Sequence, residues 1–417
     1  MAAMEKNNKT LNVPHLRFPE FSKEWEICKV SDILDFYSTN SLAWEQLEYG
    51  AYGLKNLHYG LIHNGLSTCV DTKDAILPVI KQNCMPKNYT ECQNGDVAFA
   101  DASEDTNDVA KCVEFTDCHA DRVVCGLHTI HGRDKGDKTV VGFKGYAFSS
   151  QAFRHQIRRL AQGTKIYSIS CKNFSECCIG IPSKEEQSKI ARLLHLIDQR
   201  LKTQKKIIEK YESLIRGIVE THYSQCSSIT QVKIAELGKP FTTMNMSKED
   251  LSEDGNECVL YGELFTTYGC VIKEVKSKTH ISTNKATISQ SNDLLFPAST
   301  TVDAMSLIAP SAICKKDVIL GGDLFGIHIY DDYNNEYLSY LINCIYKSKL
   351  ARYAQGSTII HLHYSDIKNA ALLVPTFEEQ NYVAHHMRSI EEKINTEKSM
   401  LSKLYSQKAY ILSNLFI

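Results

Sequence analysis

Ile181-Pro182-Ser183-Lys184-Glu185-Glu186-Gln187 returns 193 positions later as Val374-Pro375-Thr376-Phe377-Glu378-Glu379-Gln380. The same offset carries Ala161-Gln162-Gly163-Thr164 onto Ala354-Gln355-Gly356-Ser357. Beyond the motif it carries Ala191, Ile197, Thr203, Lys205, Lys210 and Ser213 onto Ala384, Ile390, Thr396, Lys398, Lys403 and Ser406. A period near half of the 417 residues is too long for a solenoid unit, so each copy is expected to be a whole domain ending in the same element. Two related domains imply a pseudo-twofold object.

After each copy of the motif the spacing predicts a long helix. Pro182 and Pro375 suit the first helical position, with paired glutamates in the first turn facing the positive end of the helix dipole. Apolar residues then alternate four and three steps apart: Ile190, Leu194, Ile197, Leu201, Ile208, Tyr211 and Ile215, with Gln204 filling the one gap. The second copy carries Val383, Met387, Ile390, Ile394, Leu401 and Leu404, and Glu397 fills the matching gap. This is the seam of a coiled coil. A helix of some 35 to 40 residues is about 55 Å long, and its apolar seam needs a partner. The nearest complementary seam is its own duplicate, paired antiparallel, with Gln204 and Glu397 near the middle as a polar register lock. The fold class is therefore α+β: two duplicated mixed α/β domains joined by two long helices in an antiparallel coiled coil.

Boundaries come from this plan. Residues 1–27 are a lead-in, in which Pro14 and Pro19 punctuate an extended segment ending near Trp25. Residues 28–180 form the first domain, 181–222 the central helix, 223–373 the second domain and 374–417 the C-terminal helix. Inside the domains, Asp96-Val97-Ala98-Phe99-Ala100, Arg122 to Gly126, Asp293 to Pro297 and Val318 to Gly322 are strand-like. Helices are expected over Ser149 to Leu160 and about Asn335 to Tyr353, with Gly163 and Gly356 as candidate left-handed caps.

The net charge of −2 gives no global preference for a polyanion, but its distribution is uneven. Residues 31–130 hold 6 Lys and Arg against 15 Asp and Glu, whereas residues 151–210 hold 13 against 5. Binding to nucleic acid depends on the phosphates contacted, so a local basic surface suffices. The carboxylates of the acidic stretch are expected to face solvent or a basic patch on a partner. No run of 18 apolar residues and no apolar leader is present, which implies a cytoplasmic protein. Fifteen cysteines without a Cys-x-x-Cys pair fit reduced thiols rather than a disulfide framework. Cys112, Cys118, His119, Cys125, His128 and His131 cluster in sequence, but their spacing lacks the tight pairs of a zinc site, and no metal is assigned.

Catalytic motifs are missing: no phosphate loop, no nucleophile elbow, no His-Glu-x-x-His and no Asn-Pro-Pro-Tyr or Asp-Pro-Pro-Tyr tetrapeptide occurs. Binding chemistry is present. Arg154, Arg158 and Arg159 precede Gln162, Thr164, Lys165 and Tyr167, while Lys347, Lys349 and Arg352 precede Gln355, Ser357, Thr358 and His361. A basic helix feeding a loop of amide and hydroxyl side chains can hold phosphates with its cations and read base edges with Gln, Arg or His.

These residues, with Leu16-Arg17-Phe18-Pro19-Glu20-Phe21, Trp25, and Leu260-Tyr261-Gly262-Glu263-Leu264 before Thr266-Thr267-Tyr268, resemble the specificity subunit of type I restriction-modification systems. The resemblance implies two target-recognition domains, each reading half of a bipartite asymmetric DNA sequence, with the paired helices fixing the gap. It adds Tyr261, Thr266, Thr267 and Tyr268 to the DNA-binding candidates, and more weakly Lys55, His58 and Tyr59, whose segment only partly mirrors Tyr261. It also implies that the chain is not itself an enzyme. Two adenine-methylating modification subunits and two ATP-dependent restriction subunits would carry catalysis, and S-adenosylmethionine, ATP and Mg would bind those partners, with no cofactor in this chain. Competing readings are a coiled-coil adaptor without a DNA role and a metal enzyme built on the Cys112 to His131 stretch.

Overall fold

The computed structural model describes residues 12–118, 121–226 and 228–417, so the polar N-terminal stretch and His119 lie outside the described residues. The chain forms two compact units, 1–205 with 399–417, and 206–398. Both long helices cross the boundary, so each unit owns half of each.

In the first unit a five-stranded sheet runs in the order Leu34–Tyr37, Thr129–Asp134, Val97–Ala100, Cys112–Asp117, Cys69–Asp71. A four-stranded sheet has the order Val123–Cys125, Lys55–Leu57, Val79–Ile80, Leu47–Glu48. The run Val97–Ala100 is buried at every position, as befits a central strand covered on both faces. The second unit repeats the first sheet strand for strand: Gly238–Thr242, Leu324–Ile329, Asp293–Pro297, Ser311–Ile313, Val271–Ile272. The register repeats too, since Val97 pairs with Gly132 as Leu294 pairs with Ile327.

The central helix spans Lys184–Gln225 and the C-terminal helix Phe377–Asn414. The prolines do not open them. Each stands two residues before the first helical residue, Ser183 and Thr376 occupy the cap, and their hydroxyls accept the N–H of Glu186 and Glu379 at 3.3 and 3.4 Å. A hydroxyl acceptor serves the orphan donors of the first turn better than a proline ring can. The heptad reading holds on burial: Ile190, Leu194, Ile197, Leu201, Gln204, Ile208 and Ile215 are buried, as are Val383, Met387, Ile394 and Leu404. In the first unit Asp198 meets Lys408 and the Lys205 ammonium lies 5.5 Å from the Tyr405 ring, so the two helix halves run antiparallel. In the second unit Glu212 meets Lys398 at 3.2 Å.

The lead-in packs on the first unit. Arg17 makes a two-pronged ion pair with Glu186 at 2.8 Å, Leu16 N–H reaches Asn414 O at 2.8 Å, and buried Trp25 meets Phe416 edge-on. The acidic stretch is not reserved for solvent or a partner. Asp35, Asp74, Asp96 and Glu114 pair with Lys135, Lys202, Arg133 and Lys144, all cations of the same unit drawn from outside the stretch.

Candidate nucleic-acid interface

The basic helix expected over Ser149 to Leu160 is found as Gln151–Leu160, and a short helix, Lys144–Ser149, precedes it, because Ser150 turns extended and caps the second by accepting Phe153 N–H. Its arginines then part ways. Arg154 is buried, with its guanidinium donating to the carbonyls of Asn107 and Val109, so it braces a loop and is not available to DNA. Arg158 is half-buried beside Asn107 Oδ1, and Arg159 is exposed. Arg158 lies one turn beyond Arg154 on the same side of the helix, and the next residue swings outward.

Gly163 caps no helix. The helix ends at Leu160, and Gln162 and Ser168 exchange backbone hydrogen bonds at 2.9 and 2.8 Å, closing a hairpin. Gly163 sits at its tip with φ +143°, where an added Cβ would lie 1.9 Å from Ile166 O. Gln162, Thr164, Lys165 and Ile166 are exposed around it, and Tyr167 is held by pairing with Ser103. The second unit repeats the device. Gln355 and His361 exchange hydrogen bonds at 2.9 and 2.7 Å, Gly356 has φ +120°, and its Cβ would lie 2.0 Å from Ile359 O. Ser357, Thr358, Ile359 and His361 are exposed, as is Arg352. A shared backbone thus presents different polar side chains, Thr164-Lys165 in one copy and Ser357-Thr358 in the other, ahead of an isoleucine common to both, and side chains that differ are what reading different sequences requires.

The other candidates gather beside these hairpins. In the second unit a cavity of about 770 Å³ is lined by Tyr261, Thr266, Tyr268, Thr300, Lys347 and Ile359. Thr300 belongs to the strand that pairs with Ile360, which ties the cavity to the hairpin. The Tyr268 phenol accepts Lys276 N–H at 3.0 Å, and burial pushes its pKa up to about 12, so it stays neutral. Thr266 donates back to Gly262 O and sits 3.3 Å from the Thr267 hydroxyl. Lys349 instead donates to Ala371 O and lies over the Tyr346 ring, which ties it to its own unit.

In the first unit His58 is buried between Trp44 and Tyr59, with ring centroids 4.3 and 4.7 Å away, and its ring accepts Gly60 N–H. Burial first, and then His128, lower its pKa and favour the neutral ring. Tyr59 also meets His63 and His128. His63 Nε2 lies 2.9 Å from Ala102 O, on the strand that pairs with the hairpin base at Ser168. Lys55 is paired with Asp121 at 2.8 Å. Trp44, His63 and His128 escape sequence reasoning as neighbours of this site because they come from three separate segments, and Ile359 because only the folded cavity gives it a purpose.

Residues 124–212 match the family model described as type I restriction modification DNA specificity domain. The fold as a whole is similar to the S subunit of a type I restriction-modification system from M. genitalium, with a TM-score of 0.55 at 16% identity over 97% of this chain and 99% of that one. It is also similar to a chain from a type I R-M system solved for complex assembly and conformational transition, with a TM-score of 0.51 at 13% identity over 93% and 96%. Residues 124–212 thus match the type I restriction modification DNA specificity domain, and the chain shares its overall fold with those two solved structures over nearly its whole length.

Proposed function

We propose that the chain is the DNA specificity subunit of a type I restriction-modification complex. The domains at 28–180 and 223–373 each read one half of a bipartite asymmetric target, and the two long helices set the gap between the halves. The observation that carries this reading is the repeated hairpin: one backbone device in both units, sealed by Gly163 and Gly356, with a glutamine amide common to both copies and hydroxyl, basic or imidazole side chains that differ between them. Phosphate contacts fall to Arg159, Lys165 and Arg352, and base edges to Gln162, Gln355 and His361.

Methylation and cleavage then belong to partners, two modification subunits and two restriction subunits. S-adenosylmethionine, ATP and Mg bind those chains. The test is binding of the chain assembled with its modification subunit to duplexes with an intact target, with either half scrambled, and with both scrambled, across a salt series. The reading requires that each scrambled half weaken binding and that affinity fall steeply with salt. Equal binding to all four duplexes would overturn it.

A further inference from the structure

Three residues far apart in sequence meet inside the first unit. Cys92 precedes the central strand of the five-stranded sheet, Cys125 ends a strand of the four-stranded sheet, and His131 lies on the five-stranded sheet. All are buried, His131 completely. The two sulfurs are 3.6 Å apart, and one donor atom from each of the three residues lies within 4.8 Å of the others. His131 Nε2 is 2.8 Å from Asp96 Oδ2, while its Nδ1 is buried with no hydrogen-bond partner among the described residues.

We propose that Cys92, Cys125 and His131 Nδ1 form a buried site for a thiophilic d10 metal ion, with zinc(II) as the ion to test. A zinc–sulfur bond of about 2.3 Å in tetrahedral geometry separates two thiolates by about 3.8 Å, close to what is found here. A disulfide would require about 2.05 Å. Two thiolates neutralise a dication, so the loaded site has no net charge to bury, whereas a buried imidazole nitrogen without a partner has a desolvation cost. The ring is already oriented: Nε2–H donates to Asp96, whose two oxygens accept Arg133 at 2.8 and 2.7 Å, and this leaves the Nδ1 lone pair for an ion. Thiolate and imidazole donors together suit zinc or copper(I).

The second unit supplies an internal comparison. Cys92 N–H donates to Val123 O as Ser289 N–H donates to Val318 O, which aligns Cys92 with Ser289 and Cys125 with Leu320. Sheet register aligns His131 with Gly326 and Arg133 with His328. The carboxylate persists, since Asp293 meets His328 Nδ1 at 2.6 Å, but all three donors are replaced. The fold therefore does not need a thiolate–imidazole set at this position. Bridging Cys125 on one sheet to His131 on the other, the ion would fasten the two sheets of the first unit together.

The experiment is elemental analysis of the full-length chain purified untagged with its modification subunit under reducing conditions, followed by cobalt(II) loading. The expected result is near one equivalent of zinc or copper per chain and a thiolate-to-cobalt charge-transfer absorption. In the triple variant Cys92→Ser/Cys125→Leu/His131→Gly, which carries the second unit's own residues, metal should fall at least tenfold and that absorption should vanish. Should the triple variant not fold, the cobalt spectrum of the wild-type chain decides alone. Less than a tenth of an equivalent after zinc reconstitution with no cobalt band, or a Cys92–Cys125 disulfide located by mass, would overturn the site.

Discussion

The side-chain oxygen of Gln187 accepts the backbone N–H of Val140 at 2.9 Å, while its amide donates to Pro182 O at 2.9 Å and to Lys138 O at 3.0 Å. Gln380 repeats the arrangement with Asn334 N–H and Pro375 O, both at 2.9 Å. The last residue of the repeated motif is therefore a buried clamp that joins each long helix to the loop ahead of its domain's helical layer. Leucine keeps the bulk and removes every hydrogen bond. Gln187→Leu should destabilise the first unit by about 1–3 kcal/mol, and Gln380→Leu the second, as read by urea unfolding.

Arg154 and Arg352 separate structure from recognition. Arg154→Ala leaves two carbonyls of the 107–109 loop without their donor and should cost about 3 kcal/mol of stability. Arg352→Ala removes an exposed cation and should leave melting unchanged while weakening DNA binding and lowering the salt slope by about 1. Thermal melts paired with binding titrations distinguish the two. The same loss of stability from both would contradict the assignment.

Gly163→Ala and Gly356→Ala each push a Cβ into a carbonyl oxygen, at 1.9 and 2.0 Å, from a backbone conformation that disfavours L residues. The hairpin tip must rearrange, at a local cost of about 1–3 kcal/mol. Each substitution is expected to abolish recognition of one half-site only, with the other half retained. Methylation scored on targets mutated in one half at a time checks this.

Glu391, half-buried on the C-terminal helix within the second unit, has its pKa raised to about 7, because loss of water around it outweighs the opposing pull of the Tyr340 phenol and the Lys273 ammonium. A carboxyl with a raised folded pKa binds its proton more tightly folded than unfolded. Its stabilising contribution is full below the unfolded value and is lost as pH rises through the folded one. Stability of the second unit should therefore fall between about pH 4.5 and pH 7 and level off above. Glu391→Gln should flatten this slope and be more stable than wild type by about 2 kcal/mol at pH 8. Denaturant unfolding across that range provides the check.

The long helices are legible in the sequence because a sustained 3.5-residue repeat admits few other readings, and Ile190 to Ile215 are buried at nearly every expected position. The duplication likewise predicts matching loops, although not that they are hairpins. Gly163 signals positive φ without saying whether the chain is leaving a helix or reversing direction. Arg154 looks like Arg159 in sequence, since burial of one and exposure of the other depends on a loop 45 residues upstream. The metal donors are hidden for the same reason. Cys125 and His131 stand in the sequence cluster, but their partner Cys92 lies outside it, and Cys112 and Cys118 do not join them. Among the described residues no helix is long and apolar enough to cross a membrane.

Whether this chain dictates the DNA target is decided by single-molecule sequencing of DNA from cells that express it with its neighbouring modification subunit, scored for N6-methyladenine. One split motif with two specific halves and a fixed gap is expected, absent when this chain is omitted and altered in one half by Gln355→Ala. An identical methylation pattern with and without the chain, in cells where the complex assembles, would contradict a role in specificity.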